Sequence, residues 1–355
     1  LIDFSSNDYL GLARNRQLGH NALELLGKSD HQNGATGSRL LTGNHQLHEA
    51  LEDLLRLLHK AESALVFNSG YDANIGFFSS VPQRGDIVLY DELVHASIRD
   101  GIQMGHAKGY KFTHNDLGDL EKRLASLRAQ SRRETDIYVV TESVFSMDGD
   151  TPDLKGFSDF CEKNNCFFVV DEAHATGVFG SGTDLVSELG LEQHVFSRII
   201  TFGKGIGCHG AAILGSEELK QYLVNYARSL IYTTALPLHS VATILSAYQY
   251  LEEKGTEIFQ ELFQNIDYFK QEIERLQIGT RFIASNSAIQ CAMVSGNDEV
   301  KSIASQLQQY GFDVKPILSP TVKQGEERLR FCLHAFNTKE EIAQVLQLLK
   351  KYMEV

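Results

Sequence analysis

Short apolar runs recur along much of the chain and alternate with amphipathic stretches. The runs Ala64–Phe67 (ALVF), Asp86–Asp91 (DIVLYD), Asp136–Glu142 (DIYVVTE), Phe167–Val170 (FFVV) and Arg198–Phe202 (RIITF) are rich in β-branched and aromatic residues, so each predicts a buried strand. Gly109–His114 and Gly210–Gly215 read as two further short strands. Between them the apolar period lengthens to that of a helix: Leu47, Leu51, Leu54, Leu55 and Leu58 share one face of a segment near His45–His59. Helices are likewise predicted through Asn74 and Phe78, from His95, from Asp116 to about Ala129 and from Leu154 to Asn165. Strand–helix alternation of this kind predicts a mostly parallel central sheet in an α/β fold. A long helical region from Ser216 to Leu251 is interrupted at Tyr232–Pro237.

Beyond that region the regime changes. A helix over Thr256–Gln277, a strand over Ala288–Val294, a helix over Asp298–Tyr310, strands over Asp313–Leu318 and Arg328–His334, and a helix over Thr338–Met353 predict a compact α+β domain. The expected division is an N-terminal arm and loop over 1–44, a large domain over 45–250 and a small C-terminal domain over 251–355.

Composition narrows the function. With 355 residues, 43% of them apolar and 22% charged, the chain has the make-up of a globular protein with ample core. A formal net charge of −13 and the lack of any Lys/Arg-rich block argue against nucleic acid or an anionic membrane surface as partner. Cys161, Cys166, Cys208, Cys291 and Cys332 are scattered without a CxxC pair, so reduced thiols in a cytoplasmic protein are expected and no metal site is. No apolar run approaches the ~20 residues that span a bilayer. The chain opens on Leu1 rather than methionine, so natural residues ahead of it are expected to be missing.

The candidate chemistry lies at strand ends. Asp171, His174 and Lys204 each follow an apolar run and should emerge at the carboxyl edge of the sheet, where open α/β folds bind ligands. A lysine for a Schiff base and an acid for a ring nitrogen are the parts that hold pyridoxal 5'-phosphate. Thr201, three residues before the lysine, suits its phosphate, and His174 suits its phenolate oxygen. Gly203 and Gly205 would give Lys204 room to swing. Asn68-Ser69-Gly70 sits between a strand and a helix start, where free amides take a phosphate or where Asn68 or Ser69 simply caps the helix. The glycine-rich loop Gly34–Gly43 either meets an anion or only turns, and His95 is a helix cap or a catalyst. Asp171-Glu172-Ala173-His174 also matches the tetrad with which nucleic-acid helicases hold magnesium. That reading requires a P-loop, and the place of its first glycine is taken by Arg198 while Gly205 follows Lys204.

A set of segments then carries a resemblance: SSNDYLGL, SGYDAN, HAS, FTHND, TESVFSMDGD, DEAHATGVFG, TFGKGIGCHGAAIL, LIYTTALP, SAIQ, and SPTV followed by RLRFCLHA. With these the chain resembles the α-oxoamine synthases, pyridoxal-phosphate acyltransferases of fold type I, the aspartate-aminotransferase fold. Among them it is most similar to the member of biotin biosynthesis. The resemblance implies that Gly70 and Tyr71 bind the cofactor phosphate through their backbone and that His95 stacks on the ring and serves catalysis. It further implies that Ser146, His174 and Thr201 hydrogen-bond cofactor or amino acid, with Asp171 and Lys204 in the roles given above. Asn7 and Arg330 match positions near the amino-acid carboxylate, the alternative for Arg330 being a solvent-facing strand residue, and Thr321 matches a substrate contact. Thr234 lies where a neighbouring subunit reaches the phosphate, which implies a homodimer.

The implied reaction joins L-alanine to a pimeloyl thioester, on coenzyme A or acyl carrier protein, with loss of carbon dioxide and thiol. A sibling synthase acting on glycine or serine, or an aminotransferase of the same fold, are the alternatives, and a cofactor-free binding protein on this fold would show no cofactor absorbance. The sequence departs from the biotin-pathway pattern at Leu318, which stands for an arginine, at His334–Asn337 and at Cys208-His209, mostly on the acyl side.

Overall fold

In the computed structural model, which describes residues 1–27, 33–130 and 135–353, the chain begins with β1 (Ile2–Asp3), α1 (Arg16–Gly27) and α2 (Gln46–Leu58). It then alternates through β2 (Ser63–Phe67), α3 (Gly70–Ser80), β3 (Ile87–Asp91), α4 (Ala96–Met104), β4 (Lys108–Phe112), α5 (Leu117–Gln130) and β5 (Ile137–Glu142). Next come α6 (Leu154–Lys163), β6 (Phe167–Asp171), α7 (Leu185–Glu188), β7 (Ser197–Thr201) and β8 (Ala211–Gly215). Helices α8 (Glu217–Tyr226), α9 (Arg228–Ile231) and α10 (Leu238–Arg275) follow, then β9 (Ile289–Met293), α11 (Asn297–Gln309), β10 (Phe312–Asp313), β11 (Lys315–Ile317), β12 (Arg328–Cys332) and α12 (Lys339–Met353).

Two compact units result. One comprises residues 14–143 and 152–252, the other residues 1–13, 144–151 and 253–355. The division differs from the one expected: two sequence-distant segments, 1–13 and 144–151, group with the C-terminal residues.

The larger unit is built on a seven-stranded sheet in the order β2-β8-β7-β6-β5-β3-β4. Strands β3 to β7 are mutually parallel, as crossover helices require, whereas β8 returns antiparallel to both β7 and β2. The sheet is therefore mixed and mostly parallel. Every residue of β2, β5 and β7 is buried, which is why these strands read as continuous apolar runs instead of alternating ones. At one edge β4 (KGYKF) exposes both lysines, a composition that keeps an edge from pairing with other chains.

The smaller unit holds the three-stranded antiparallel sheet β11-β12-β9 and the parallel pair β1-β10. The single strand expected over Asp313–Leu318 is thus two, β10 turned to β1 and β11 to β12. Phe4, fully buried, packs on Phe312 and Phe331, with ring centroids 6.1 and 6.4 Å apart. Among the described residues no helix is long and apolar enough to cross a membrane.

Candidate active site

In the larger unit the carboxyl ends of three adjacent parallel strands carry Glu142 (β5), Asp171 (β6) and Thr201 (β7), with Glu142 and Asp171 in direct register. Asp171 is only 4% exposed. Its Oδ1 accepts the Ala173 N–H at 2.9 Å and its Oδ2 accepts Asn74 Nδ2 from α3 at 2.8 Å. A carboxylate has about four acceptor sites, so these bonds orient Asp171 and leave capacity for a ligand N–H. Glu172, next in sequence, points into the unit and accepts the N–H groups of Val186 and Leu185 at 2.9 and 3.2 Å, pinning the turn that carries the buried His174. Burial, and then the neighbouring Asp184 charge, push the Glu172 carboxyl up to about 8.

Lys204 lies in the connection from β7 to β8, closed by bonds from Phe202 N to Gly210 O (2.9 Å), Cys208 N to Phe202 O (2.7 Å) and Gly207 N to Lys204 O (2.8 Å). The two flanking glycines differ in role. A Cβ on Gly203 would meet only Cys208 O at 3.7 Å, whereas one on Gly205 would stand 2.6 Å from Thr176 O. Gly203 leaves space beside the lysine; Gly205 is there so that the loop can lie against the His174 turn, which corrects the expectation that both give room.

Helix α3 starts at the same edge. Ser69 is its N-cap, extended at φ −158°, with its hydroxyl oxygen accepting Asp72 N–H at 3.0 Å. The capping alternative therefore holds for Ser69. The first-turn amides of Gly70 and Tyr71 still point out of the helix at its positive end. A Cβ on Gly70 would be 2.6 Å from Thr201 Cγ2, so glycine here lets the helix start touch the end of β7. The Tyr71 side chain turns outward, its hydroxyl donating to Asp100 Oδ2 at 2.8 Å. Thr234 is exposed, and its carbonyl accepts Asn68 Nδ2 at 2.8 Å. The glycine-rich loop serves this region too: Ala235 N donates to Gly37 O at 2.9 Å, and a Cβ on Gly43 would strike Gly37 O.

His95 is the N-cap of α4. Its backbone N–H donates to Glu142 Oε1 at 2.5 Å, and its Nδ1 lies 2.7 Å from Ser97 Oγ. Desolvation, only partly offset by the Asp171 charge, lowers the imidazole pKa although the ring retains exposure. Glu142 is buried, and desolvation together with Asp171 raises its carboxyl to about 8. Asn74, Ser97 and Glu142 contact these candidate residues and are not singled out by the sequence; the signal for Glu142 is its place at a carboxylate-rich strand end on the same sheet edge as Asp171.

In the smaller unit Arg330 is 8% exposed, which removes the solvent-facing alternative. Its Nε donates to Ser146 O at 2.7 Å, its Nη2 to Asn7 Oδ1 at 3.0 Å and its Nη1 to Cys332 Sγ at 2.8 Å. Asn7 Oδ1 also accepts the Tyr9 hydroxyl at 3.2 Å. Asn7, Ser146 and Arg330 are thus brought together, while Thr321 is exposed on the turn after β11 and joins no such cluster.

The profile of the aminotransferase class I and II family matches residues 1–349. The chain belongs to that family. It is 40% identical to the 8-amino-7-oxononanoate synthase of Emericella nidulans, over 99% of this chain and 89% of that one. Its fold superposes on the 8-amino-7-oxononanoate synthase of Francisella tularensis with a TM-score of 0.81 at 26% identity, covering 100% of this chain and 98% of the other. A serine palmitoyltransferase structure with its pyridoxal phosphate internal aldimine gives a TM-score of 0.91 at 29% identity, covering 99% and 87%. Within the aminotransferase class the chain is an α-oxoamine synthase of fold type I. The donor set fits the family's cofactor: a buried, oriented acid, a lysine on the same sheet edge, and a glycine-opened helix N-terminus in contact with a threonine.

Proposed function

We propose that this enzyme condenses L-alanine with a pimeloyl thioester, carried by coenzyme A or acyl carrier protein, to give 8-amino-7-oxononanoate for biotin biosynthesis. One observation carries the chemistry: Asp171, buried at the end of β6 with both oxygens held by N–H donors, on the edge from which Lys204 follows β7. The choice of substrates rests on the 40% identity to the Emericella nidulans synthase. The cofactor is pyridoxal 5'-phosphate. When bound, it supplies an electron sink for charge developing at the amino acid's Cα.

The chain's own residues do the rest. Asp171 keeps a proton on the ring nitrogen, and the Gly70 and Tyr71 amides with Thr201 Oγ1 hold the phosphate. Lys204 Nζ would hold the cofactor through its aldehyde carbon, and as the free amine in the pocket it would take the Cα proton and later return one. Arg330 grips the alanine carboxylate beside Asn7, its guanidinium already aimed by the Ser146 carbonyl. Thr321 contacts the acyl substrate, and His174 and the Ser146 side chain bond cofactor or amino acid. His95 would lie against the bound cofactor and donate a hydrogen bond toward the thioester carbonyl. The new C–C bond replaces the C–S bond, the thiol leaves, and carbon dioxide departs from the former alanine carboxylate. The enzyme works as a cytoplasmic homodimer in which Thr234 reaches the partner's phosphate.

A second reading, condensation of serine with a longer acyl thioester, is favoured by the higher TM-score to serine palmitoyltransferase. The test is a visible absorbance spectrum of the cofactor-loaded protein, followed by separate additions of amino acids and of pimeloyl thioester. A cofactor band that responds to L-alanine, with thiol and carbon dioxide released in equal amounts, is expected. A response to serine or glycine alone moves the protein to the sibling reaction. Lys204→Ala should lose the lysine-bound band and ~10²–10⁴-fold or more of the rate; an unchanged band in that variant would overturn the assignment.

A further inference from the structure

Behind Asp171 and His95 runs a buried chain of side chains. Asn74 Nδ2 donates to Asp171 Oδ2 at 2.8 Å and to Ser97 Oγ at 3.0 Å, and Ser97 Oγ lies 2.7 Å from His95 Nδ1. Asn74 is 2% exposed and Ser97 fully buried. The link exists because α3 and α4 approach unusually closely: a Cβ on Gly101 would stand 2.9 Å from both Asn74 O and Phe78 Cβ, and one on Gly105 2.8 Å from Phe78 O.

The polarity of the chain is forced from one end. Asp171 offers only acceptors on this side, so the amide nitrogen of Asn74 must face it. Turning the amide over would set oxygen against oxygen. The cost of this orientation is visible, since Asn74 Oδ1 is buried without a hydrogen-bond partner. With Asn74 Nδ2 donating to Ser97 Oγ, the one hydroxyl proton of Ser97 is directed to His95 Nδ1. The Ser97 backbone N–H meets the same nitrogen at 3.2 Å. Two donors therefore face Nδ1, which must act as an acceptor, and neutral His95 must carry its proton on Nε2.

We infer that Asn74 and Ser97 are positioning residues which couple Asp171 to His95 and fix Nε2 as the proton-bearing nitrogen of that ring. His95 then acts outward as a hydrogen-bond donor through Nε2 and is barred from accepting a proton at Nδ1. The inference rests on the reading of Asp171 and His95 as cofactor-contacting groups, but the tautomer itself can be read without any turnover.

The experiment is a nitrogen-15 spectrum of the full chain labelled at histidine, recorded with and without pyridoxal phosphate, with the His95 signals identified by their loss in His95→Gln. Wild type should show a protonated Nε2 and an unprotonated Nδ1. Asn74→Asp replaces the central donor by an acceptor and recruits the Ser97 hydroxyl to itself, and Ser97→Ala removes that hydroxyl. In each the Nδ1-protonated share should rise, whereas Ser97→Thr, which keeps the hydroxyl, should match wild type. The two disruptive variants should also lower kcat more than they raise the KM for either substrate, by about tenfold, the worth of one charge-assisted hydrogen bond. A wild-type His95 protonated on Nδ1 would overturn the inference by itself, so it stays testable if a variant does not fold. So would wild-type tautomers in both Asn74→Asp and Ser97→Ala. Failure of the functional reading shows separately, as a missing cofactor band with the tautomer intact.

Discussion

Glu142 shows how a strand end changes the character of a single side chain. Its carboxyl is buried beside Asp171, and desolvation first, then that like charge, raise its pKa to about 8, against the ordinary glutamate value near 4.3. The folded state therefore binds a proton at Glu142 that the unfolded chain releases. The associated stability is fully present below the unfolded pKa, and it is lost as pH rises from about 4.5 through about 8. Glu142→Gln imitates the protonated form and keeps an oxygen for the His95 N–H. Melting temperatures of the cofactor-free protein should accordingly fall less steeply with rising pH in Glu142→Gln than in wild type. Parallel curves for the two proteins would mean that Glu142 does not hold its proton. Arg330 makes the complementary point, because only its burial and its three anchored donors distinguish it from a surface arginine.

At the level of elements, the contact between α3 and α4 is the feature on which the site's geometry depends most. A Cβ on Gly101 would stand 2.9 Å from Asn74 O and Phe78 Cβ, which leaves no room for a side chain. Gly101→Val should destabilise the protein by about 1–3 kcal/mol, the cost of overpacking a closed interface. Urea unfolding measures this; a variant as stable as wild type would show that the helices can separate freely. Helix α10 is instructive in the other direction. The sequence reading ended one helix at Leu251 and began another at Thr256, yet α10 runs unbroken from Leu238 to Arg275. The intervening Glu252-Glu253-Lys254-Gly255 contains one poor helix former costing about 1 kcal/mol, and the strong formers around it outweigh that.

On the scale of the whole molecule, the first residues of the chain are structural members of the C-terminal unit. Ile2 N and Phe4 N donate to Gly311 O and Asp313 O at 2.7 and 3.0 Å, and Cys332 N and Ala335 N donate back to Phe4 O and Tyr9 O at 2.8 Å each. Phe4→Ala should cost about 3–5 kcal/mol. Amide exchange should rise in β9 and β12 of that unit and stay unchanged in β5 and β6; uniform exchange across both sheets would contradict the division into two units. Strands β2 to β8, the helix phases, the α+β character of the C-terminal region, the strand-end positions of Asp171 and Thr201 and the place of Lys204 in the loop after β7 were legible in the sequence, because apolar period and turn residues are local properties of the chain. The meetings of Asn74 with Asp171, of Glu142 with His95 and of Asn7 with Arg330 were not. Those pairs stand 97, 47 and 323 positions apart. A hydrogen bond demands placement to within a few tenths of an ångström, which only close packing of distant elements supplies. The sequence by itself determined which elements form and which face of each is apolar; the tertiary structure decided which polar groups on them meet.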